Sequence, residues 1–511
     1  MSFFKRINIY IIEQYIFFAL ILSIPFTDFS VKLPIAGYYL PHLFIVLGVG
    51  TIFVEGLQHG FRFSRLEKLF FAFMGITFIW YIISNFHGFF TYSFFDQSHW
   101  ADLKEILFLE KIFPDFFIDN NNFAIQIATL LYFVRMSFME CLYVYGTLFL
   151  VIHLYQNNPR KGFYVFEKAI MILVTIIIMY SLIEIPALMG NETFKSFLSI
   201  INYHTMSINH INEGWPPVFW PLQIRSIFAE PSFFGLGAAV IFPILLYWCI
   251  FSNKKIWLNE GVVFAYVLLA FATRSRTATV LILAELVLFI FALFLMKKLN
   301  LRKILKIIIP TVVAFFISLA MTSMFVGTWY DRSNENHSIT SMADNYVEDN
   351  VTSVVDSSQG GQKRSNSIRN TLNKAYISVG QEHPIFGVGF GMTSYYLDEK
   401  IPKSEAKNNE LEHYSKDLHE QGERKVGFPV LNYFAYQFAA YGCVGVIIYL
   451  LPVFYVLFCV VRKRKTLCME IFILLIALVG SLASCFSNIP LASIYLIIGL
   501  LTCFTYPNFD C

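Results

Sequence analysis

The sequence predicts an all-α, polytopic membrane protein: a transmembrane helical bundle of about twelve spans with one large polar loop. Three observations predict it. Of 511 residues, 57% are hydrophobic and 18% aromatic, with only 14% charged, whereas soluble domains carry about 25% charged residues. Apolar runs recur at about 18 residues or more, the length a helix needs to cross the hydrocarbon layer. These runs do not alternate in polarity, as the short strands of a membrane β-barrel would. The formal net charge of +3 is too small to argue for nucleic acid as a partner.

The expected spans cover residues 9–26, 35–55, 68–85, 132–154, 169–189, 233–251, 261–273, 277–296, 304–326, 430–460, 469–487 and 490–506. The first follows Lys5 and Arg6 with no small-residue cleavage site after it, so it reads as a span and not as a cleaved signal. The apolar stretch 123–155 is long enough for an interfacial helix plus a span, and Arg135 within it predicts an inward-looking face. Lysine and arginine set the orientation. They fill one alternate set of short connections, around Lys5/Arg6, Arg62/Arg65, Arg160/Lys161, Lys254/Lys255, Lys297/Lys298 and Arg462–Lys465. Both termini are therefore expected in the cytoplasm. The opposite set holds 86–122, 190–232, a polar loop at 327–428, and the short Arg274-Ser275-Arg276 turn. That turn breaks the charge rule locally; a broken hairpin at 261–296 with a cytoplasmic turn is the alternative. The chain thus divides into transmembrane regions 1–326 and 429–511 around an outer loop, 327–428.

Metal-binding patterns are lacking. The eight cysteines lie in or beside apolar runs, and neither a CxxC nor an H-E-x-x-H pattern occurs. No metal site and no cofactor are expected.

The chemistry concentrates in a few places. Arg225 and Glu230 stand immediately before an apolar run in Arg225-x4-Glu230-Pro231-Ser232-Phe233-Phe234-Gly235. Charges at the mouth of a span sit in a water-filled cavity, bind a ligand or pair with each other. A guanidinium fork suits the paired oxygens of phosphate. The segment therefore fits either an anionic-substrate site or an interfacial ion pair. In the outer loop, 331–362 is rich in Ser, Asn, Asp and Gly and reads as loosely ordered. Arg364 and Arg369 then open an amphipathic stretch in which Ile368, Leu372 and Tyr376 share one helical face. These arginines fit an anion site or a solvated helix face. The 383–391 segment, with Gly387, Gly389 and Gly391, lacks the strand-turn-helix context of a nucleotide fingerprint and reads as a tight turn. His413 and His419 lie in a densely charged stretch, where a histidine can act as general base or simply face solvent. Asn432 and Gln437 open the next span, suited to sugar hydroxyls or to interhelical hydrogen bonds. Tyr441-Gly442-Cys443-Val444-Gly445 supplies small residues for close helix packing.

Taken in order, these pieces resemble the O-antigen polymerase and O-antigen ligase superfamily. The resemblance covers roughly 220–450: the Arg225…Gly235 segment, the 273–278 turn Thr-Arg-Ser-Arg-Thr-Ala, Arg364-x4-Arg369, Pro384-x2-Gly-x-Gly-x-Gly, and Asn432-x9-Gly442-x2-Gly445. It implies a C-type glycosyltransferase architecture in the bacterial inner membrane. The implied enzyme is metal-independent, with Arg225, Arg364, Arg369 and, more peripherally, Arg276 on the pyrophosphate of an undecaprenyl-pyrophosphate-linked glycan. Glu230 or His419 would act on the acceptor hydroxyl, or Glu230 would serve as an arginine's structural partner. Asn432 and Gln437 would contact sugar. Membrane lipid, a flippase and a chain-length regulator are the implied partners. Ligases of this superfamily begin the last motif with His-Asn; here Leu431 occupies the histidine's place, which favours the polymerase. A secondary anion transporter also fits twelve spans, but such transporters carry related halves, and no internal repeat is visible here.

Overall fold

The computed structural model describes residues 9–33, 36–92, 97–100, 103–114, 121–208, 216–220, 222–252, 256–325, 363–402, 409–463 and 467–506. The expected stretch 331–362 lies outside them. Every named element among the described residues is helical. The apolar helices are α1 (Ile9–Ser23), α2 (Leu40–His59), α3 (Arg65–Thr91), α5 (Asn121–Tyr155), α6 (Pro159–Leu188), α8 (Pro231–Phe251), α9 (Ile256–Ala272), α10 (Arg276–Leu295), α11 (Leu301–Thr322), α15 (Tyr433–Arg462), α16 (Met469–Ser484) and α17 (Ser493–Thr505). Eight are long and apolar enough to cross a membrane; α1, α9, α16 and α17 are shorter apolar helices at the other expected positions. The chain is a polytopic helical membrane protein.

Local sequence starts the helices where the caps stand. Ser64 and Glu67 form a reciprocal capping box at α3, with Glu67 N–H donating to Ser64 Oγ (3.2 Å) and Ser64 N–H to Glu67 Oε2 (2.6 Å). Asn158, Ser275, Asn300 and Asn432 cap α6, α10, α11 and α15. Helix α8 is the axis of the bundle: 83% of its apolar window is buried. It packs against α9, α10 and α16.

A second apolar core forms a cap on one end of the bundle. It joins α4 (Lys104–Ile112), α12 (Lys363–Glu382), α13 (Thr393–Lys400) and α14 (Asn409–Gln421) to the ends of α3, α5 and α15. Ile368, Leu372 and Tyr376 of α12 are all buried in it, as the amphipathic pattern predicts. The stretch 123–155 is one helix and not two. At about 1.5 Å per residue its 35 residues run some 50 Å, so its first turns reach into the cap. Arg135 does not look inward: it is exposed, and its Nε donates to Glu105 of α4 at 2.6 Å.

Backbone bonds lock the cap to the bundle. Helix α15 breaks at Gly442, where φ is 68°. The helical bonds lost there are replaced by the 384–389 segment. Cys443 N–H donates to Pro384 O (2.8 Å), while Val388 N–H and Gly389 N–H donate to Ala439 O (3.0 Å) and Ala440 O (2.7 Å). Trp80 Nε1 takes Tyr441 O at 2.9 Å. Unpaired backbone groups are costly inside a membrane protein, and these donors satisfy them. The glycines are required by closeness. A Cβ on Gly442 would collide with Ile385 O, one on Gly387 with the Ala440–Tyr441 peptide, and one on Gly88 with Val388 O. Gly442 therefore makes a break in α15; the close helix packing expected of it is not its main use.

Gly442→Ala combines a positive φ with a steric clash, and a cost of about 1–3 kcal/mol or more is expected. Thermal unfolding of the detergent-purified protein should show a lower Tm and reduced folded yield. Gly75→Ala, where a Cβ meets nothing within 4 Å in α3, should leave both near wild type.

Candidate functional site

Arg225 has a structural set of partners. It is 1% exposed. Its Nη1 donates to Pro217 O (2.8 Å) and Ala229 O (3.1 Å), and its Nη2 to Val218 O (2.9 Å). The Glu184 carboxylate of α6 accepts from the backbone N–H groups of Arg225 (3.1 Å) and Ser226 (2.9 Å). Ser226 sits at φ 55° and Leu222 at φ 59°, so the segment turns tightly twice. The guanidinium closes those turns by binding their carbonyls. The fork expected on pyrophosphate is occupied here by the protein's own backbone, which supports a scaffold role for Arg225.

Glu230 stands at the mouth of α8, at its N-cap position, with the Ser232 hydroxyl donating to its Oε1. Arg369 of α12 is half-buried beside it and donates from Nη1 to Ser487 O at 3.0 Å. Burial pulls the Arg369 pKa below the ordinary arginine value, and the negative charge of Glu230 opposes that shift. The Thr273–Ala278 turn packs on the same mouth. A Cβ on Gly235, one turn into α8, would meet Ala278 N at 2.8 Å and Ser275 Oγ at 3.2 Å, and Ile224 N–H donates to Ala272 O (3.2 Å). Arg274 is held at φ 51° in that turn, and Arg276 opens α10, half-buried. The fold thus gathers Glu230, Arg276 and Arg369 from three distant parts of the chain. Arg364 lies one turn before Arg369 on the backbone of α12; its side chain is outside the described residues.

Other expected site residues lie elsewhere. His419 is 65% exposed on α14, with Nε2 2.9 Å from Asp398 Oδ2, and His413 pairs with Asp417 at 3.3 Å on the same helix. Neither is brought to the arginines by any described contact. Asn432 spends its Oδ1 on Ala435 N–H (3.2 Å), capping α15. Gln437 is fully buried in α15, and its amide has no hydrogen-bond partner among the described residues. Leu431 packs against the cap core.

Two cavities adjoin one another. The first, about 330 Å³, is walled by Tyr39, Tyr143, Tyr433, Tyr436 and Tyr495, with His42, Glu140 and Ile489. Ile489 lies two residues from Ser487, the Arg369 partner. Glu140 Oε2 accepts from Tyr441 O–H at 3.0 Å. The second, about 250 Å³, lies within the cap between Trp100, Tyr132, Tyr376 and Glu423. Met136, Phe390, Val430 and Tyr436 border both. Aromatic walls with hydroxyl tips suit a ligand that is part apolar and part polar.

Residues 261–450 match the family model described as O-antigen ligase. For that segment the match supports the O-antigen polymerase/ligase superfamily. No curated protein matches the chain. The matched segment holds the Arg276 turn, α11, Arg369, the 384–391 glycine segment and the broken α15. Arg225 and Glu230 lie before it, so the mouth of α8 is built partly from outside the superfamily domain.

Sequence reasoning missed Glu140 and passed over Glu423. Glu140 is a lone acid in an apolar span, which is by itself a signal. Glu423 was hidden among the surface charges of 410–425. It is buried against Ser394, whose N–H donates to its Oε1 at 2.9 Å, while Oε2 has no hydrogen-bond partner among the described residues. Burial raises its pKa from 4.5 to about 8, against the lowering effect of the Ser394 bonds. A carboxyl with a raised folded pKa favours folding while protonated, and loses that contribution as pH rises from its unfolded pKa through the folded one. The superfamily domain should therefore lose stability between pH 4.5 and about 8. Tm measured against pH should fall over this window in wild type and fall less in Glu423→Gln.

Proposed function

We propose that the chain is a polysaccharide polymerase that joins undecaprenyl-pyrophosphate-linked oligosaccharide repeats into O-antigen, capsular or exopolysaccharide on the outer face of the inner membrane. The observation that carries this reading is the half-buried Arg369 at a mouth shared with Glu230 and the Arg276 turn; a tyrosine-walled cavity reaches Ile489, two residues from the Arg369 partner Ser487. The match of residues 261–450 to the O-antigen ligase model supports a lipid-linked glycan as substrate.

In this mechanism the acceptor hydroxyl oxygen attacks the donor's anomeric carbon. The bond from that carbon to the pyrophosphate oxygen breaks, and its electron pair leaves with undecaprenyl pyrophosphate. Arg369 and Arg276 stabilise the charge that develops on the leaving group. The incoming pyrophosphate draws Arg369 from Glu230, and Glu230 accepts the acceptor's proton. The aromatic cavities hold the acceptor glycan in line, which supplies much of the rate through proximity. Arginine supplies the positive charge that a metal ion provides in other glycosyl transfers, and the reaction needs no nucleotide sugar. The cap then faces away from the cytoplasm, with both termini inside, as the lysine and arginine distribution argues.

The description of the matched family favours a second reading, a ligase that moves finished polymer to the lipopolysaccharide core. Leu431 in its apolar setting supplies no imidazole at the start of α15, and this favours the polymerase. Deletion of the gene should leave single repeats on the surface and accumulate single lipid-linked repeats. Long chains retained on undecaprenyl pyrophosphate would indicate the ligase, and unchanged glycan with a defect in anion movement would indicate a transporter. In complementation, Arg369→Ala should insert and fold normally yet restore no long chains. Arg369→Lys should restore a minor fraction, because lysine lacks the bidentate fork. Arg225→Ala should instead lose folded protein. Full-length chains from Arg369→Ala would overturn the arginine's role.

A further inference from the structure

We propose that the bundle carries a zinc site at the end opposite the cap, formed by His153, Glu13 and Glu55, with Glu67 holding the imidazole from behind. The four residues come from four helices. Glu13 lies in α1, Glu55 near the end of α2, Glu67 in the first turn of α3 and His153 in the last turn of α5. Along α3, Glu67 and the cap residue Phe89 are some 33 Å apart at about 1.5 Å per residue. The site is therefore separate from the arginine mouth and does not depend on the proposed function.

The geometry calls for a cation. His153 Nδ1 lies 3.2 Å from Glu67 Oε1 and so donates its proton there. The other oxygen of Glu67 is fixed by Ser64 N–H at 2.6 Å in the capping box. Nε2 then points at Glu55 Oε2 (2.8 Å) and Glu13 Oε2 (3.8 Å). A lone pair cannot face two carboxylates unaided; a proton or a metal ion must stand between them. Three carboxylates surround one imidazole, so a single added proton leaves the four ionised side chains with a net charge of two negatives. Glu13 is 1% exposed, and its Oε1 has no hydrogen-bond partner among the described residues. Charge buried in that way is costly, and a divalent ion offsets more of it than a proton does.

The donor set selects the ion. One imidazole nitrogen with carboxylate oxygens suits zinc, whereas magnesium and calcium prefer oxygen alone. Ligands at about 2.0–2.2 Å from zinc lie within about 4.4 Å of one another. The three donor atoms here lie within 4.8 Å, so a small contraction closes the site. A carboxylate on the far ring nitrogen is the usual support for a metal-bound histidine. Bound zinc would pin α1, α2, α3 and α5 together at this face.

The test uses the full chain in detergent, stripped with chelator, equilibrated with zinc chloride and gel-filtered. Metal content and Tm are then read. Wild type should retain one equivalent of zinc, gain several degrees in Tm, and keep the zinc against a tenfold excess of magnesium. Glu13→Gln and His153→Gln should lose both effects. Glu67→Gln keeps an acceptor for the α3 capping box and should bind about 10–100-fold more weakly. If Glu13→Gln fails to fold, Glu55→Gln, at a 38% exposed side chain, gives the same readout. No retained zinc in wild type, or equal retention in His153→Gln, would overturn the site and leave His153 a protonated ion-pair partner.

Discussion

The architecture depends on one backbone exchange. At Gly442 the last transmembrane segment of the superfamily domain stops being a helix, and its open carbonyls and amide are taken up by the 384–389 segment. Neither piece is satisfied alone. A broken helix within a membrane bundle exposes costly polar groups, and a loop with Gly387 and Gly389 at positive φ has no regular partner of its own. Together they fix the cap on the bundle. That contact also sets where α12 lies, and with it Arg369. Two motifs separated by some fifty residues thus read as a single joint, and the site's geometry follows from it.

The charged residues divide by what they touch. Arg225 and Glu184 face backbone and hold a folded loop behind the mouth of α8. Arg369 and Glu230 stand in front of it, half-buried. A guanidinium bonded to three carbonyl oxygens loses more than it gains by turning to a ligand. One that donates to Ser487 O and shares a carboxylate's field can exchange partners. This difference, not sequence distance from the span, is why Arg225 reads as scaffold and Arg369 is the arginine proposed to meet substrate.

Much of the fold was legible in the sequence, because membrane spans need long apolar runs and the lysine-rich connections alternate. The twelve apolar helices fall at the expected positions, and the buried face of α12 matches its 3.6-residue period. The site was legible only in part. Arg369, Glu230 and the Arg276 turn were nominated from residue type and order. That the mouth of α8 unites them depends on tertiary packing through Gly235. For His419 and Asn432, residue type does not tell whether a surface carboxylate or a cap already holds the side chain. Glu423 was lost among exposed charges, since its burial comes from Ser394 and the cap core. The His153 cluster escaped for a similar reason: its four members are spread over 140 residues, with no motif spacing to join them.

The central claim is that this fold transfers glycan from a lipid pyrophosphate to a lipid-linked acceptor. Its most direct test is reconstitution of the purified protein in proteoliposomes with undecaprenyl-pyrophosphate-linked single repeats and no nucleotide sugar. The account predicts a ladder of lipid-linked polymer, with one undecaprenyl pyrophosphate released per bond formed. No chain growth on lipid, with glycan transfer only when lipopolysaccharide core is supplied, would contradict it.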